Sequence, residues 1–291
     1  MITFILISLF IIAIWFTIVF IRDFNRHKNS LENSSWIKTA IIGFVVDFFD
    51  ALGIGAFAPQ IALLKFTRQV DDKVMPGTLN VANTLPALIE AIIFIKIIEV
   101  DSLTLVLMLA SATVGAIFGA GIVSKFSVRK VRIVIGIALL FAAFFMLATR
   151  FGWIQGGGEQ TGLTGIKLII AVVINCILGA LNTAGIGLFA PCMALVFALG
   201  MSPKVAFPIM MGSCAFLMPA ASVKFIKEGA YNRKASFSMA IAGTLAVLIA
   251  VFIVKSLPLD ILKWVVFFVI VITSIVMLRA AFRPDNLKVK Q

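Results

Sequence analysis

The chain has 291 residues, of which 62% are apolar and only 13% charged, with a mean hydropathy of +1.13. Soluble domains carry about 45–50% apolar and about 25% charged residues, so the composition excludes an ordinary soluble globular protein and calls for lipid as solvent. A formal net charge of +12 would raise nucleic acid as a partner in a soluble protein, whereas in a membrane protein it reports orientation.

A bilayer crossing needs about 20 consecutive apolar residues. The first run, 2–21, meets that length and lacks a basic leader and a small-residue cleavage site, which reads as a retained helix rather than a signal peptide. The polar loop after it holds the single histidine, His27, with no second His or Cys nearby, so no metal site is expected. Segment 37–68 is longer than a crossing and is interrupted near its middle by Gly53-Ile54-Gly55 and then Pro59. Full-length runs follow at 76–95, 102–124 and 131–149. A Gly-rich stretch from Trp153 to Gly162 leads to a second long interrupted segment, 165–201, which carries Gly185-Ile186-Gly187 and Pro191. Runs at 205–223, 236–254 and 259–278 precede a basic tail. Cys176, Cys192 and Cys214 lie inside apolar runs without C-x-x-C spacing and read as small core hydrophobes.

The two interrupted segments match each other. Residues 50–64 and 182–196 are identical at eight of fifteen positions at a fixed offset of 132, and Pro76 pairs with Pro208 at the same offset. Apolar composition alone does not produce that agreement. The expected organisation is therefore an N-terminal helix and loop (1–36), a first repeat (37–150), an outside linker (151–164) and a second repeat with a basic tail (165–291).

Charge then orders the segments. If each interrupted segment is a re-entrant hairpin, the loops near 22–38, 65–73, 125–132, 224–234 and 279–290 share one side and hold 19 of the 25 Lys and Arg residues. Full crossing by both segments would put Lys125, Arg129, Lys130 and Arg132 opposite the 22–38 cluster, which the positive-inside rule disfavours. Length agrees, since only about ten residues separate Pro59 from Arg68, or about 15 Å of helix. The expected fold is an all-α polytopic membrane protein with seven full crossings. It is an inverted repeat of a re-entrant helical hairpin plus three transmembrane helices, with one extra N-terminal helix. The N-terminus is expected outside and the C-terminus in the cytoplasm, with Trp36, Trp153 and Trp264 at the boundaries.

Inverted repeats with broken helices characterise secondary transporters, whose sites lie near the bilayer midplane. The glycines let the backbone unwind, and Pro59 and Pro191 suit the first turn of a new half-helix. The free N–H groups there, aided by the half-helix dipole, make a place for an anion. The candidate substrate-binding residues are Gly53, Ile54, Gly55 and Ala56 with Gly185, Ile186, Gly187 and Leu188, joined by Asn182, Thr183, Asn80, Asn83 and Ser213. No Lys or Arg falls inside a predicted helix core, so neutral donors and backbone N–H groups would hold the anion. Interhelical hydrogen bonding is the alternative role for each polar side chain, and tight packing turns are the alternative for the breaks. Intramembrane acids are costly and functional by default, which makes Asp50, Asp47 and Glu90 candidate coupling groups. Asp50 could instead cap the N–H groups that follow it, and Glu90 could snorkel to the interface. Two aspartates on one helix do not fit an intramembrane aspartyl protease. Gly115 with Gly119 and Gly121 forms a small-residue packing face.

The repeated G-I-G-x-F-A-P-x-x-A-L element at 53–63 and 185–195, with the Pro76 and Pro208 helices after it, resembles the sulfite exporter TauE/SafE family of bacterial membrane permeases. That resemblance spans about 37–282. It implies transport of small sulfur-containing anions, coupled to an ion gradient, in a bacterial plasma membrane, with Gly53, Gly55, Pro59, Gly185, Gly187 and Pro191 at the central breaks. The sequence carries Gly53-Ile54-Gly55 where many members have a longer glycine run, and it resembles a branch with D-x-L-G-I-G-x-F-A-P.

The resulting expectation is a secondary active exporter of a small anion, sulfite or an organosulfonate or carboxylate, with proton coupling. A passive anion channel and a cation-coupled carrier of another organic solute are the alternatives. No enzymatic activity, cofactor, metal or nucleic-acid partner is expected. The partners are the small anionic solute and the lipid bilayer, with homo-oligomers left open.

Overall fold

A computed structural model describes residues 1–123, 128–151, 158–183, 188–256 and 258–282. These form α1 (Ile2–His27), α2 (Trp36–Asp50), α3 (Phe57–Phe66), α4 (Met75–Ile97), α5 (Ser102–Val123), α6 (Val128–Arg150), α7 (Gly165–Thr183), α8 (Phe189–Ala198), α9 (Pro203–Glu228), α10 (Arg233–Ser256) and α11 (Leu259–Phe282). Among the described residues six helices are long and apolar enough to cross a membrane: α1, α4, α7, α9, α10 and α11. The fold is that of an all-α polytopic membrane protein. Helices α5 and α6 have 22 and 23 residues, with apolar stretches at Ser102–Phe118 and Arg132–Ala148.

Side-chain contacts fix the helix directions. Helices α4 and α9 run antiparallel, since Thr84 meets Ser222 and Phe94 meets Phe207. Helices α6 and α11 are also antiparallel, with Arg129 over the Phe282 ring at one end and Arg150 on Asp260 at the other. By contrast α2 lies parallel to α10, with Thr39 on Ser238 and Asp47 against Gly243. Helix α5 lies parallel to α7, with Asn175 donating to the Met108 carbonyl and Gly179 against Ala112. At the offset of 132 residues, α4 and α6 thus pair with their own counterparts, while α2 and α5 exchange theirs.

Both interrupted segments turn back on themselves. After α3, Gln69 returns to the start of α2, where its carbonyl accepts from Ser34 Oγ and its side-chain oxygen accepts from Ser35 N–H. After α8, Ser202 N–H donates to the Gln160 carbonyl and Lys167 reaches the Leu199 carbonyl, beside the start of α7. The limbs differ in length. Helix α7 has 19 residues, about 28 Å, and was expected only as half of a hairpin; α2 has 15, and α3 and α8 have ten each.

Close crossings explain several glycines. A Cβ on Gly115 would overlap the Cys176 carbonyl, and one on Gly179 the Ala112 carbonyl, so the α5–α7 interface requires small residues. The obstacles are backbone atoms that cannot rotate away. Gly115→Val is expected to cost at least about 1–3 kcal/mol by overpacking, read as a lowered unfolding temperature in detergent.

Polar contacts tie the loops at each end. At one end Asp23 accepts from Tyr231 Oη at 2.6 Å and from Arg233 Nε at 2.8 Å, while Asn232 donates to Ser34 Oγ and its N–H to Thr78 Oγ1. Burial, together with that bond to Asp23, pushes the Tyr231 hydroxyl well above its usual range. At the other end Asp101 caps α5, accepting from Thr104 N–H and Oγ1 at 2.8 Å each, and these bonds hold its carboxyl below the usual range. A depressed folded value stabilises at neutral pH, and that contribution is lost as pH falls through it. Asp101→Asn is expected to flatten the acid limb of the unfolding temperature against pH.

Candidate functional site

Helix α2 ends at Asp50, and the chain then turns through Gly53 (φ +94°) and Gly55 (φ +90°) before α3 begins at Phe57. Both angles lie where a side chain is strained, which is why glycine occupies them. Pro59 falls in the first turn of α3 and Pro191 in the first turn of α8. Neither N-cap residue, Ala56 or Leu188, caps its helix with its own side chain, which leaves backbone N–H groups there for other partners.

The two hairpin tips meet on one cavity of about 480 Å³. Ile54 to Pro59 line it from the first tip and Leu188 to Ala190 from the second. Asp50, Asn83, Asn182 and Cys214 stand between them, and α11 supplies Ile272, Thr273, Val276, Met277 and Ala280. Arg132, in the second turn of α6, completes the wall toward the end where α6 begins and α11 finishes. That end also holds the basic loops around 22–38, 65–73 and 224–234.

The hairpins are packed unequally. Helix α8 is buried from Phe189 to Phe197 and packs on α6 and α11, whereas only Gln60 and Leu64 of α3 are buried. The second limb of the first hairpin is thus far less covered than that of the second.

Behind the first tip lies a buried polar cluster. Gln60 Nε2 donates to Asp47 Oδ1 at 2.7 Å and to Asn83 Oδ1 at 2.8 Å, and Asn83 Nδ2 returns a bond to Gln60 Oε1 at 2.6 Å. Asp47 is 1% exposed, Asp50 7% and Glu90 0%. Asp47 Oδ2, Asp50 Oδ1 and both Glu90 oxygens have no hydrogen-bond partner among the described residues. Asp50 does face the Ala56 N–H at the start of α3, so the capping role is geometrically present beside its free oxygen. Glu90 does not snorkel, because its whole side chain is enclosed. No Lys or Arg forms an ion pair with any of the three among the described residues. At the repeat offset their counterparts are Gly179, Asn182 and Ser222, so the acids belong to one half alone. No group of three His, Cys, Asp or Glu close enough to hold a metal occurs among the described residues.

Helix α10 presses on this cluster. A Cβ on Gly243 would overlap Asp47 Oδ2. Gly243→Ala is expected to swing the carboxylate off Gln60 and cost about 1–3 kcal/mol. Most of that loss should vanish when Asp47→Ala is added, as a double-mutant cycle of unfolding temperatures would show.

Of the other sequence-derived candidates, Gly53 lies behind the tip against Met193 and Met210. Asn80 and Ser213 bond to the Pro76 and Ile209 carbonyls of their own helices and stand off the cavity wall. Gly185, Ile186 and Gly187, the Thr183 side chain and Trp153 lie outside the described residues. Three contributors were not anticipated. Cys214 rather than Ser213 faces the cavity, Gln60 links Asp47 to Asn83, and Arg132, read in sequence as part of the 125–132 basic loop, lies on the cavity wall. Gln60 had a weak signal, an amide one residue past the helix-starting proline in an apolar run.

A family model described as "Sulfite exporter TauE/SafE" matches residues 1–146 and 167–290. No curated protein and no solved structure matches the chain.

Proposed function

The chain belongs to the TauE/SafE sulfite exporter family of membrane transporters, and from that premise we propose that it is a secondary active carrier of a small anion, coupled to protons and working by alternating access. The repeats are inverted about the bilayer midplane, and the positive-inside rule puts the basic end in the cytoplasm of a bacterium, with the N-terminus outside. The observation that carries the reading is the cavity of about 480 Å³ where both hairpin tips converge beside Asp50.

Each tip presents backbone N–H groups at a helix start that its N-cap side chain does not take, the geometry that favours negative charge. Unwound backbone at membrane depth is tolerated where it lines such a cavity. The unequal packing corresponds to the inward-facing state: α8 seals the outer side and α3 leaves the cytoplasmic side open. Exchanging the two packings would produce the outward-facing state. Asp50 supplies the coupling. A carboxylate beside a bound anion repels it, and a proton on Asp50 removes that repulsion, so anion and proton travel as a neutral pair. Asp47, Gln60 and Asn83 position the first tip from behind, and Asn182 with the second tip orients the anion.

Reconstituted protein tests this. A pH gradient across proteoliposomes is expected to drive sulfite or sulfonate accumulation that a protonophore collapses; downhill flux indifferent to the gradient would indicate a passive channel. The three buried acids, none of them in an ion pair among the described residues, favour a second reading, a cation-coupled carrier of another organic solute, in which amines rather than anions would compete for the site.

A further inference from the structure

Glu90 takes no part in the cavity wall, yet it is aligned with it. It follows Asn83 by seven residues and Ala87 by three on α4, spacings that put all three on one helix face. Asn83 and Ala87 line the cavity, and Glu90 lies about 10 Å beyond Asn83 along the helix, toward the end opposite the basic loops. It is fully buried, and neither carboxyl oxygen has a hydrogen-bond partner among the described residues. One turn further on, Phe94 packs against Phe207 of α9 at 5.1 Å between ring centroids, and both are fully buried. Glu90 is thus enclosed between the cavity wall and an aromatic seal.

Helix α4 packs on α1, α2, α3, α9 and α10. The charges of Asp50 and Asp47 on α2 reach Glu90, and those of Asp50 and Glu90 both reach Cys214 on α9, which lines the cavity. The Lys, Arg, His, Asp and Glu residues of α1, α3, α9 and α10 all lie near the ends of those helices. An ionised Glu90 would therefore have neither a hydrogen bond nor a counter-charge, a costly state inside a membrane. A proton is the cation that fits, since no group of acids close enough to hold a metal occurs among the described residues. The other half has no equivalent. At the repeat offset Glu90 corresponds to Ser222, whose hydroxyl is bonded to Thr84 Oγ1 at 2.7 Å on the half of α9 nearer the basic loops.

We infer that Glu90 is a proton relay serving Asp50 from the side opposite the basic loops. The inference rests on the proton-coupled carrier reading and names the route by which a proton reaches that site. With the Phe94–Phe207 seal open, Glu90 takes a proton from water on that side. It then passes the proton to Asp50 beside Cys214: the Glu90 O–H bond breaks, the Asp50 Oδ1–H bond forms, and the negative charge moves to Glu90 until the next proton arrives. The proton passes through Glu90 and does not travel on it. The relay therefore sets the rate of coupled transport and leaves the number of protons per anion unchanged.

The full chain in oriented proteoliposomes tests this, with ethanesulfonate as the probe because its acid stays ionised throughout. The pH is varied on one face at a time. Wild-type uptake is expected to respond to pH on both faces. Glu90→Gln should lose the response on the face opposite the basic loops and slow proton-driven uptake about tenfold or more. Counterflow of labelled against unlabelled probe and the final accumulation ratio should stay at the wild-type level, and Glu90→Asp should recover part of the rate. Infrared spectra give a readout independent of flux. The carbonyl stretch of a protonated carboxyl is expected to remain in Asp50→Asn and to lose intensity when Glu90→Gln is added. An unchanged band, a wild-type pH response on that face in Glu90→Gln, or a matching loss of counterflow overturns the relay and leaves the carrier reading standing. Wild-type uptake indifferent to pH on both faces defeats the proton-coupled reading and the relay with it.

Discussion

Replacing Asp50 by Asn is expected to abolish uphill transport while sparing exchange. One unit of pH difference is worth about 1.4 kcal/mol per coupled proton, or about a tenfold accumulation ratio. The wild-type protein should approach that ratio per unit, and Asp50→Asn should hold it near unity at every gradient. Counterflow of labelled against unlabelled anion should persist, because the amide is neutral and roughly isosteric with a protonated carboxyl, leaving the cavity wall in place. The contrast separates coupling from binding, since a residue needed only for packing would lose both activities together. Asp50 lines the cavity, and its Oδ1 has no partner among the described residues, whereas Asp47 is off the cavity wall and is held through Oδ1 by Gln60. Asp47→Asn is therefore expected to change stability more than the accumulation ratio.

Gly55→Val should be the most damaging single change at the first tip. Gly55 sits at φ +90° on the cavity wall, and among the described residues no atom beyond its chain neighbours lies within 4 Å of where a Cβ would stand. The space itself tolerates a side chain, but the backbone angle costs a β-branched residue about 1–3 kcal/mol. The new methyls would also project toward the place given to the substrate. Transport rate is expected to drop about tenfold or more, with the protein still recovered folded by size-exclusion chromatography. Gly55→Ala should lose less, because it keeps the strain and adds only one methyl. Equal damage from both would indicate that backbone conformation alone is at stake.

The helices and their two breaks were legible because membrane spans announce themselves by uninterrupted apolar length, and Gly-x-Gly followed by proline interrupts such a run in only a few ways. The eight identities between 50–64 and 182–196 made the second break visible from the first. Asp47, Asp50 and Glu90 stood out because acids are scarce in apolar runs, and all three are buried. What stayed hidden depends on contacts between distant segments. Gln60 gains its meaning only when α4 brings Asn83 to it across 23 residues of sequence. Arg132 reads in sequence as one more basic loop residue, and only the approach of α6 and α11 to the hairpin tips puts it on the cavity wall. Asn80 and Ser213 show the converse. Their polarity suggested ligand contact, yet each is satisfied by a carbonyl four residues back in its own helix, a local bond that spacing alone does not reveal.

Side-specific labelling of the hairpin tips tests the central claim most directly. In a background with Cys176, Cys192 and Cys214 replaced by Ala, single Ala58→Cys and Ala190→Cys variants would be exposed to a membrane-impermeant maleimide in right-side-out and inverted vesicles. Without substrate, both cysteines are expected to react from the face that carries the basic loops, and added anion should protect both. Labelling of the two tips from opposite faces would mean that the hairpins do not share one cavity, and would contradict the account.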